Sequence, residues 1–227
     1  MPRQPLIHRL YAKIFCIWRA RRQELFLREI RLSPGDTILD IGGATGFWEG
    51  FKNSDVQIIC LNLDPAFRGS SLVQQGMIKR IYGDGCNLAY GDQSFSVGFS
   101  NSVIEHVGNW AKQKQFAQEI LRVGRNIWVQ TPAHECPIEP HFLAPFFHWL
   151  PKAWRHRFAR NFTPWGWIQR PDRETARSMV DEIRLLTKKE MQELFPGCDI
   201  MTEKLWGIFP KSYIAVRKTK ATSQLRC

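Results

Sequence analysis

The chain has no long apolar run. Its longest uninterrupted stretches are about five residues, as in IFCIW, against the roughly 20 that a membrane-spanning helix needs. It has no C-x-x-C pair. Cys16, Cys60, Cys86, Cys136, Cys198 and Cys227 are scattered, which excludes zinc-finger spacing and argues against a disulfide framework in 227 residues. No internal repeat and no low-complexity tract interrupts it. Lys13 and Arg19 break the apolar stretch at the basic N-terminus, and no small-residue cleavage site follows, so a signal peptide is not expected. A reducing, cytoplasmic compartment follows from these readings. Acidic residues are also scarce: 21 against 32 lysines and arginines, a net charge of +11. Such an excess draws anions, whether nucleic acid, anionic lipid headgroups or phosphorylated substrates.

What is present is a hydrophobic fraction of 44%, enough for one packed domain over residues 1–227. Residues 1–35 read as a basic N-terminal helix and its following turn. Within 5–31, Ile7, Leu10, Tyr11, Ile14, Trp18, Leu25 and Ile30 recur at helical spacing, with arginines between. Such a helix either packs on the domain edge or lies on a membrane surface. Strands are then expected at Thr37–Ile41, Val56–Leu61, Met77–Tyr82, Ser94–Ser100 and Asn126–Gln130, with helices at Phe47–Lys52 and Asn109–Val123. That alternation predicts an α/β fold with a mostly parallel sheet covered on both faces. Residues 132–173, crowded with aromatics and prolines, read as a cap inserted over the sheet. Thr187 and Glu190 form a capping-box pattern that starts a helix through Leu194. The last strands are expected at Cys198–Glu203 and Ser212–Arg217.

The stretch ILDIGGATGFW, residues 38–48, is a strand opening into a glycine-rich turn. Such a turn brings a ligand to bare backbone N–H groups. It is not the dinucleotide fingerprint G-x-G-x-x-G: counted from Gly42 that pattern meets Ala44 and Phe47, and from Gly43 it fails at Thr45. It is not a phosphate loop either, because no lysine follows Gly46 at the required place. What remains is D-x-G-x-x-x-G, formed by Asp40, Gly42 and Gly46.

Here the chain resembles the class I S-adenosylmethionine-dependent methyltransferases, whose first motif reads roughly [DE]-x-G-x-G-x-G. It departs at the middle glycine, which is Ala44. Leu61-Asn62-Leu63-Asp64-Pro65 is similar to the family's V-D-x-D/S-P, with Asn62 at the ribose-binding acid and Asp64 two residues on. Gly83-Asp84-Gly85 is similar to its G-D-[AG]. Residues 92–107, DQSFSVGFSNSVIEHV, resemble the segment that marks the type 11 subgroup. The resemblance spans about residues 36–132, and Leu186–Lys218 fits the family's final helix and antiparallel hairpin. It implies a Rossmann-like methyltransferase sheet, mostly parallel with a C-terminal antiparallel strand. It implies S-adenosylmethionine as cofactor, held by Asp40, Gly42, Gly43, Gly46, Asn62, Asp64, Asp84, Gly85, Asn101 and Ser102. Asp84 would take the adenine amine, since a carboxylate suits an amine donor.

Five of the six histidines lie between 106 and 156. His106 belongs to the family's E-H pair. His134 or His141, just after the fifth strand, is the candidate base or acceptor-orienting group. A metal site from His134, Cys136 and His141 lacks a fourth ligand, so no metal is expected. Residues 131–142, TPAHECPIEPHF, resemble a run in small bacterial methyltransferases associated with glycans and secondary metabolites. This points to a hydroxyl of a glycan or metabolite as the acceptor, with the aromatic cap stacking on it and excluding water. The alternatives are a nucleic-acid methyltransferase and a non-catalytic cofactor-binding or membrane-surface adaptor. Against the first, Asn101-Ser102-Val103-Ile104 is not the base-amine motif [DNS]-P-P-[YF], and Cys136 follows Glu135 rather than proline.

Overall fold

The computed structural model describes residues 6–43, 45–48, 50–51, 53, 55–67 and 78–219. Ala44, Lys52, Met77 and the chain end from 220 lie outside the described residues, as do the side chains of residues 6–17, including Ile7, Leu10, Tyr11 and Ile14.

In chain order the strands are β1 (Thr37–Ile41), β2 (Gln57–Asn62), β3 (Ile78–Tyr82), β4 (Phe95–Asn101), β5 (Gly124–Pro132), a short hairpin of β6 (Ile138–Glu139) and β7 (Ala144–Pro145), β8 (Asp199–Leu205) and β9 (Phe209–Arg217). Seven of them form one sheet in the order β3-β2-β1-β4-β5-β9-β8. β9 runs antiparallel to both of its neighbours, and the other pairs in that sheet are parallel. The expected sheet, mostly parallel with a C-terminal antiparallel strand, is therefore the observed one.

Side-chain alternation along β1 sends Ile38 to one face and Leu39 and Ile41 toward the other. Leu39 and Ile41 join a core with Phe116, Ile120, Ile127, Val129 and Met191, supplied in part by α2 (Trp110–Val123) and α6 (Lys188–Leu194). Ile38 joins Phe26, Trp48, Val97, Phe99 and Trp128 on the opposite face. Phe26 comes from α1 (Leu6–Glu29) and meets Trp48, Phe99 and Trp128 edge-on, with ring centroids 5.8, 5.2 and 5.5 Å away. The N-terminal helix thus packs on the sheet. The expected helix at Phe47–Lys52 is a single 3-10 turn, Thr45–Trp48; Gly50 follows at φ +83°, off the helical path.

After β5 the chain builds a helical unit with its own core of Phe142, Ala144, Phe147, Ala159, Ala176 and Val180. It contains α3 (Lys152–Phe158), α4 (Pro164–Gln169) and α5 (Arg173–Glu182). This unit runs nine residues beyond the expected boundary at 173, through α5 to Glu182. The signal for α5 is Asp172, whose side chain accepts from the Thr175 N–H at 2.7 Å as an N-cap. The capping box of Thr187 and Glu190 forms as expected.

Candidate active site

In a parallel sheet, ligands gather at the carboxyl ends of the strands. Here the backbone at that edge is held one residue beyond the strands. The Gly42 N–H donates to the Leu61 carbonyl at 2.7 Å, Gly83 to Asn62 at 3.0 Å, and Ser102 to Gln130 at 2.9 Å. A cavity of about 460 Å³ opens there, lined among others by Gly42, Asn62, Asp84, Gly85, Ser102 and His106. Its wall is completed by Ile41, Leu61, Val103, Lys112 and Phe116, and by Glu182 from the end of α5.

Gly42 adopts φ +76°, and a Cβ on it would lie 2.3 Å from Val103 Cγ1. Any side chain there would both strain the backbone and fill the cradle. Ser102 sits at φ +55° without being glycine, and its hydroxyl bonds Gln130 Oε1 at 2.9 Å. Strain of this kind costs about 1–3 kcal/mol and collects at ligand sites.

Five of the ten residues expected at the cofactor line this cavity: Gly42, Asn62, Asp84, Gly85 and Ser102. The other five support its walls or stand outside it. Asp40 points to the opposite face of β1, fully buried. Its Oδ2 accepts from Trp48 Nε1 at 2.8 Å, and burial pushes its carboxyl up to about 7, against the two bonds from Trp48 and Cys60. Gly43 packs over it so closely that a Cβ would come within 1.9 Å of Asp40 Oδ2. The Gly46 carbonyl accepts from Arg19, and Asn101 Oδ1 accepts from Arg22, each at 3.0 Å. Asp64 is exposed and accepts from the Ala66 N–H at 2.8 Å. Asn62 has a structural duty that its sequence position hides. Its amide donates to the Gly42 carbonyl at 3.0 Å and the Gly43 carbonyl at 3.3 Å, bracing the glycine turn.

A second cavity, about 300 Å³, lies between the sheet edge and the helical unit. His134, Glu139, Phe142, Phe147, Arg155 and Arg184 are on its wall. A chain of four side chains runs from the first chamber, lined by Glu182 and His106, to the second, lined by Glu139. Glu182 Oε1 bonds His106 Nδ1 at 3.0 Å, His106 Nε2 meets His141 Nε2 at 3.1 Å, and His141 Nδ1 bonds Glu139 Oε1 at 2.7 Å. Burial disfavours the charged His141 ring, yet Glu139, Glu105 and Glu182 together raise its pKa above the usual value. His134 stands on the second cavity's wall, 5.3 Å from His148 ring to ring. Of the cap's aromatics, Phe142 and Phe147 reach the second cavity, and none lines the first. Phe146, Trp149, Trp154, Phe162 and Trp167 are exposed.

Sequence reasoning missed Glu182, which meets His106 across 76 residues of chain. Nothing local announces it except the capped helix whose end carries it.

The methyltransferase domain family matches residues 39–126, from β1 into β5. This window holds the glycine turn, Asn62, Asp84 and the Glu105-His106 pair. No curated protein sequence matches the chain significantly. Among solved structures, the chain is similar to a protein of Anabaena variabilis described as a methyltransferase from an antibiotic biosynthesis pathway. The two share 18% identity over 81% of this chain and 64% of the other, at a TM-score of 0.54. A protein of Pyrococcus horikoshii matches at 14% identity over 89% of this chain and 91% of its own, TM-score 0.52. A S-adenosylmethionine-dependent methyltransferase of Methanosarcina mazei matches at 17% identity, 82% and 92%, TM-score 0.50. Likeness at these identities is likeness of fold. The chain spans less than two thirds of the Anabaena protein's length.

The match over residues 39–126 and the sheet order both fit the class I S-adenosylmethionine-dependent methyltransferase domain that the sequence motifs resemble. S-adenosylmethionine is the cofactor of that class, and the 460 Å³ cavity with its glycine cradle fits it.

Proposed function

We propose that this protein transfers a methyl group from S-adenosylmethionine to a hydroxyl of a small acceptor, a glycan or metabolite. The observation that carries the reading is the pair of chambers linked by the Glu182–His106–His141–Glu139 chain. The first chamber is the cofactor site: Gly42, Asn62, Asp84, Gly85 and Ser102 would hold S-adenosylmethionine. Bound there, it supplies an electrophilic methyl group on a sulfonium sulfur. Asp84 and Gly85 line it, and the Gly42 turn gives close backbone approach. Asp40, Gly43, Gly46, Asn101 and Asp64 act behind that surface, by holding the turn and the strand ends.

The second chamber takes the acceptor. Phe142 and Phe147 give it an apolar wall, and Arg155, Arg184 and Glu139 give it polar ones. His141, between the chambers, is the group that receives the hydroxyl's proton or orients its oxygen; His134 contributes to the acceptor wall. Proton removal by a positioned group is worth roughly 10²–10⁴-fold. The experiment is a screen of hydroxylated acceptors with labelled methyl donor. The expected result is transfer lost in His141→Ala with cofactor binding kept. Full transfer by that variant would overturn the role of His141.

A second reading concerns where the protein works. Arg157, Arg160, Arg173 and Arg177 line one pocket, beside exposed Phe162 and near exposed Trp154 and Trp167. Basic side chains beside exposed aromatics fit peripheral contact with an anionic membrane. No helix of the described residues is long and apolar enough to cross one.

A further inference from the structure

The two histidines between the chambers pose a problem of protons. Each Nδ1 faces a carboxylate: Glu182 for His106 and Glu139 for His141. An ionised carboxylate only accepts, so each Nδ1 carries the ring proton, and each Nε2 of a neutral ring is a bare lone pair. Those two Nε2 atoms stand 3.1 Å apart. A third acceptor points at the same spot. Glu105 is fully buried, and its Oε1 has no hydrogen-bond partner, while Oε2 accepts from Thr131 Oγ1 at 2.9 Å. Glu105 Oε1 lies 4.0 Å from His141 Nε2, too far for a direct hydrogen bond. With both rings neutral and Glu105 ionised, three acceptors therefore converge without a donor, within 4.8 Å of one another. One extra proton shared by the two rings would still leave the buried oxygen unpaired.

We propose that Glu105, His106 and His141 bind a divalent first-row transition cation of the zinc type. Two imidazole nitrogens and a carboxylate oxygen suit such an ion. Ligands at 2.0–2.2 Å from a tetrahedral ion lie about 3.3–3.6 Å from one another; the spacings of 3.1 and 4.0 Å lie on either side of that value, and the third stays within 4.8 Å, so closing on an ion takes a small inward shift of Glu105. The carboxylates on both Nδ1 atoms supply the outer support that metal-binding histidines usually have. The turn that carries Glu105 and His106 is braced from the chain around it: the Glu105 carbonyl accepts from the Arg184 N–H at 2.8 Å, and Gln113 of α2 donates to the Ile104 and Arg184 carbonyls. Three protein ligands leave a fourth position open. His106 lines the first chamber, and so an acceptor oxygen could take that position beside the cofactor; with the ion bound, His141 orients that oxygen through the metal and no longer receives its proton. This last role rests on the methyl-transfer reading; the binding site itself does not. The site differs from the His134, Cys136 and His141 set considered from sequence, because His134 and Cys136 take no part.

The test uses the full-length chain stripped with chelator. Zinc is titrated against a competing indicator, and cobalt is followed by its visible d–d absorption. One ion per chain is expected, with cobalt bands of a four- or five-coordinate site. His141→Gln and Glu105→Gln should each abolish stoichiometric binding. Glu182→Gln, at a half-exposed outer position, should weaken it roughly 10–100-fold. Circular dichroism of each variant checks the fold. Folded wild-type protein that takes up neither zinc nor cobalt would overturn the proposal, as would unchanged affinity in both His141→Gln and Glu105→Gln. S-adenosylmethionine binding is measured separately on the stripped protein. Its failure with zinc binding intact would remove the methyl-transfer reading and leave the metal site standing.

Discussion

Asn62 and Asp40 show how single side chains depart from the positions a motif assigns. Asn62 stands where the resemblance puts a ribose-binding acid, but its amide donates to two carbonyls of the glycine turn. Asn62→Asp would set a carboxylate against those carbonyls. A loss of about 1–3 kcal/mol in denaturant unfolding is expected, together with weaker cofactor binding. An unchanged unfolding midpoint would contradict the brace. Asp40 is fully buried, and its carboxyl is raised from 3.8 to about 7 by desolvation. A group whose pKa is higher folded than unfolded favours the fold while it is protonated. Its contribution is complete below 3.8 and is lost as pH rises through about 7. Asp40→Asn, which imitates the neutral acid, should flatten the fall in stability across that window. Equal slopes in the two proteins, from melts at several pH values, would refute it. The glycine turn was legible because its chemistry is local: Asp40, Gly42 and Gly46 fall within seven consecutive residues. That Asp40 faces away from the cavity follows from strand alternation beside Ile41, and the motif alone does not say so.

Elements with local signals were readable, and those tied by distant contacts were not. β1, β2, β4 and α2 were expected within one or two residues of their observed ends, because period and caps are written in the neighbouring residues. The capping box at Thr187 is the clearest case. α1 was legible as a helix, but not the reason it sits where it does. Arg22 reaches from it to Asn101 Oδ1 at 3.0 Å, Gln130 Oε1 at 2.9 Å and Glu203 Oε2 at 2.8 Å. It thereby joins α1 to β4, β5 and β8, partners separated by 79, 108 and 181 residues. The arginine-rich front that reads as a solvated or membrane-facing surface is in part a structural clamp. Arg22→Ala leaves the largely buried Glu203 carboxylate without its cation, and should cost about 3 kcal/mol in unfolding free energy. Glu203→Gln in the same background should recover part of that loss. A double variant no more stable than Arg22→Ala alone would place the clamp's energy elsewhere.

The described residues form a seven-stranded, mostly parallel sheet and a helical unit, with the second chamber between them. The aromatic segment was legible as an insertion because its prolines and aromatics break the α/β rhythm. Its use was not. Only Phe142 and Phe147 face a chamber, and the exposed aromatics stand with arginines on the outer side. That surface predicts sedimentation with anionic vesicles, weakened by salt and lost when Trp154, Phe162 and Trp167 are replaced together by serine. Equal binding to neutral vesicles, or binding unaffected by those replacements, would refute peripheral contact.

The measurement closest to the centre of this account is calorimetric titration of S-adenosylmethionine into the wild-type chain and into Gly42→Val. The cradle at Gly42 predicts saturable one-to-one binding by the wild type and none by the variant, with both folded by circular dichroism. Equal affinity in the two proteins, or no binding by the wild type, would contradict it.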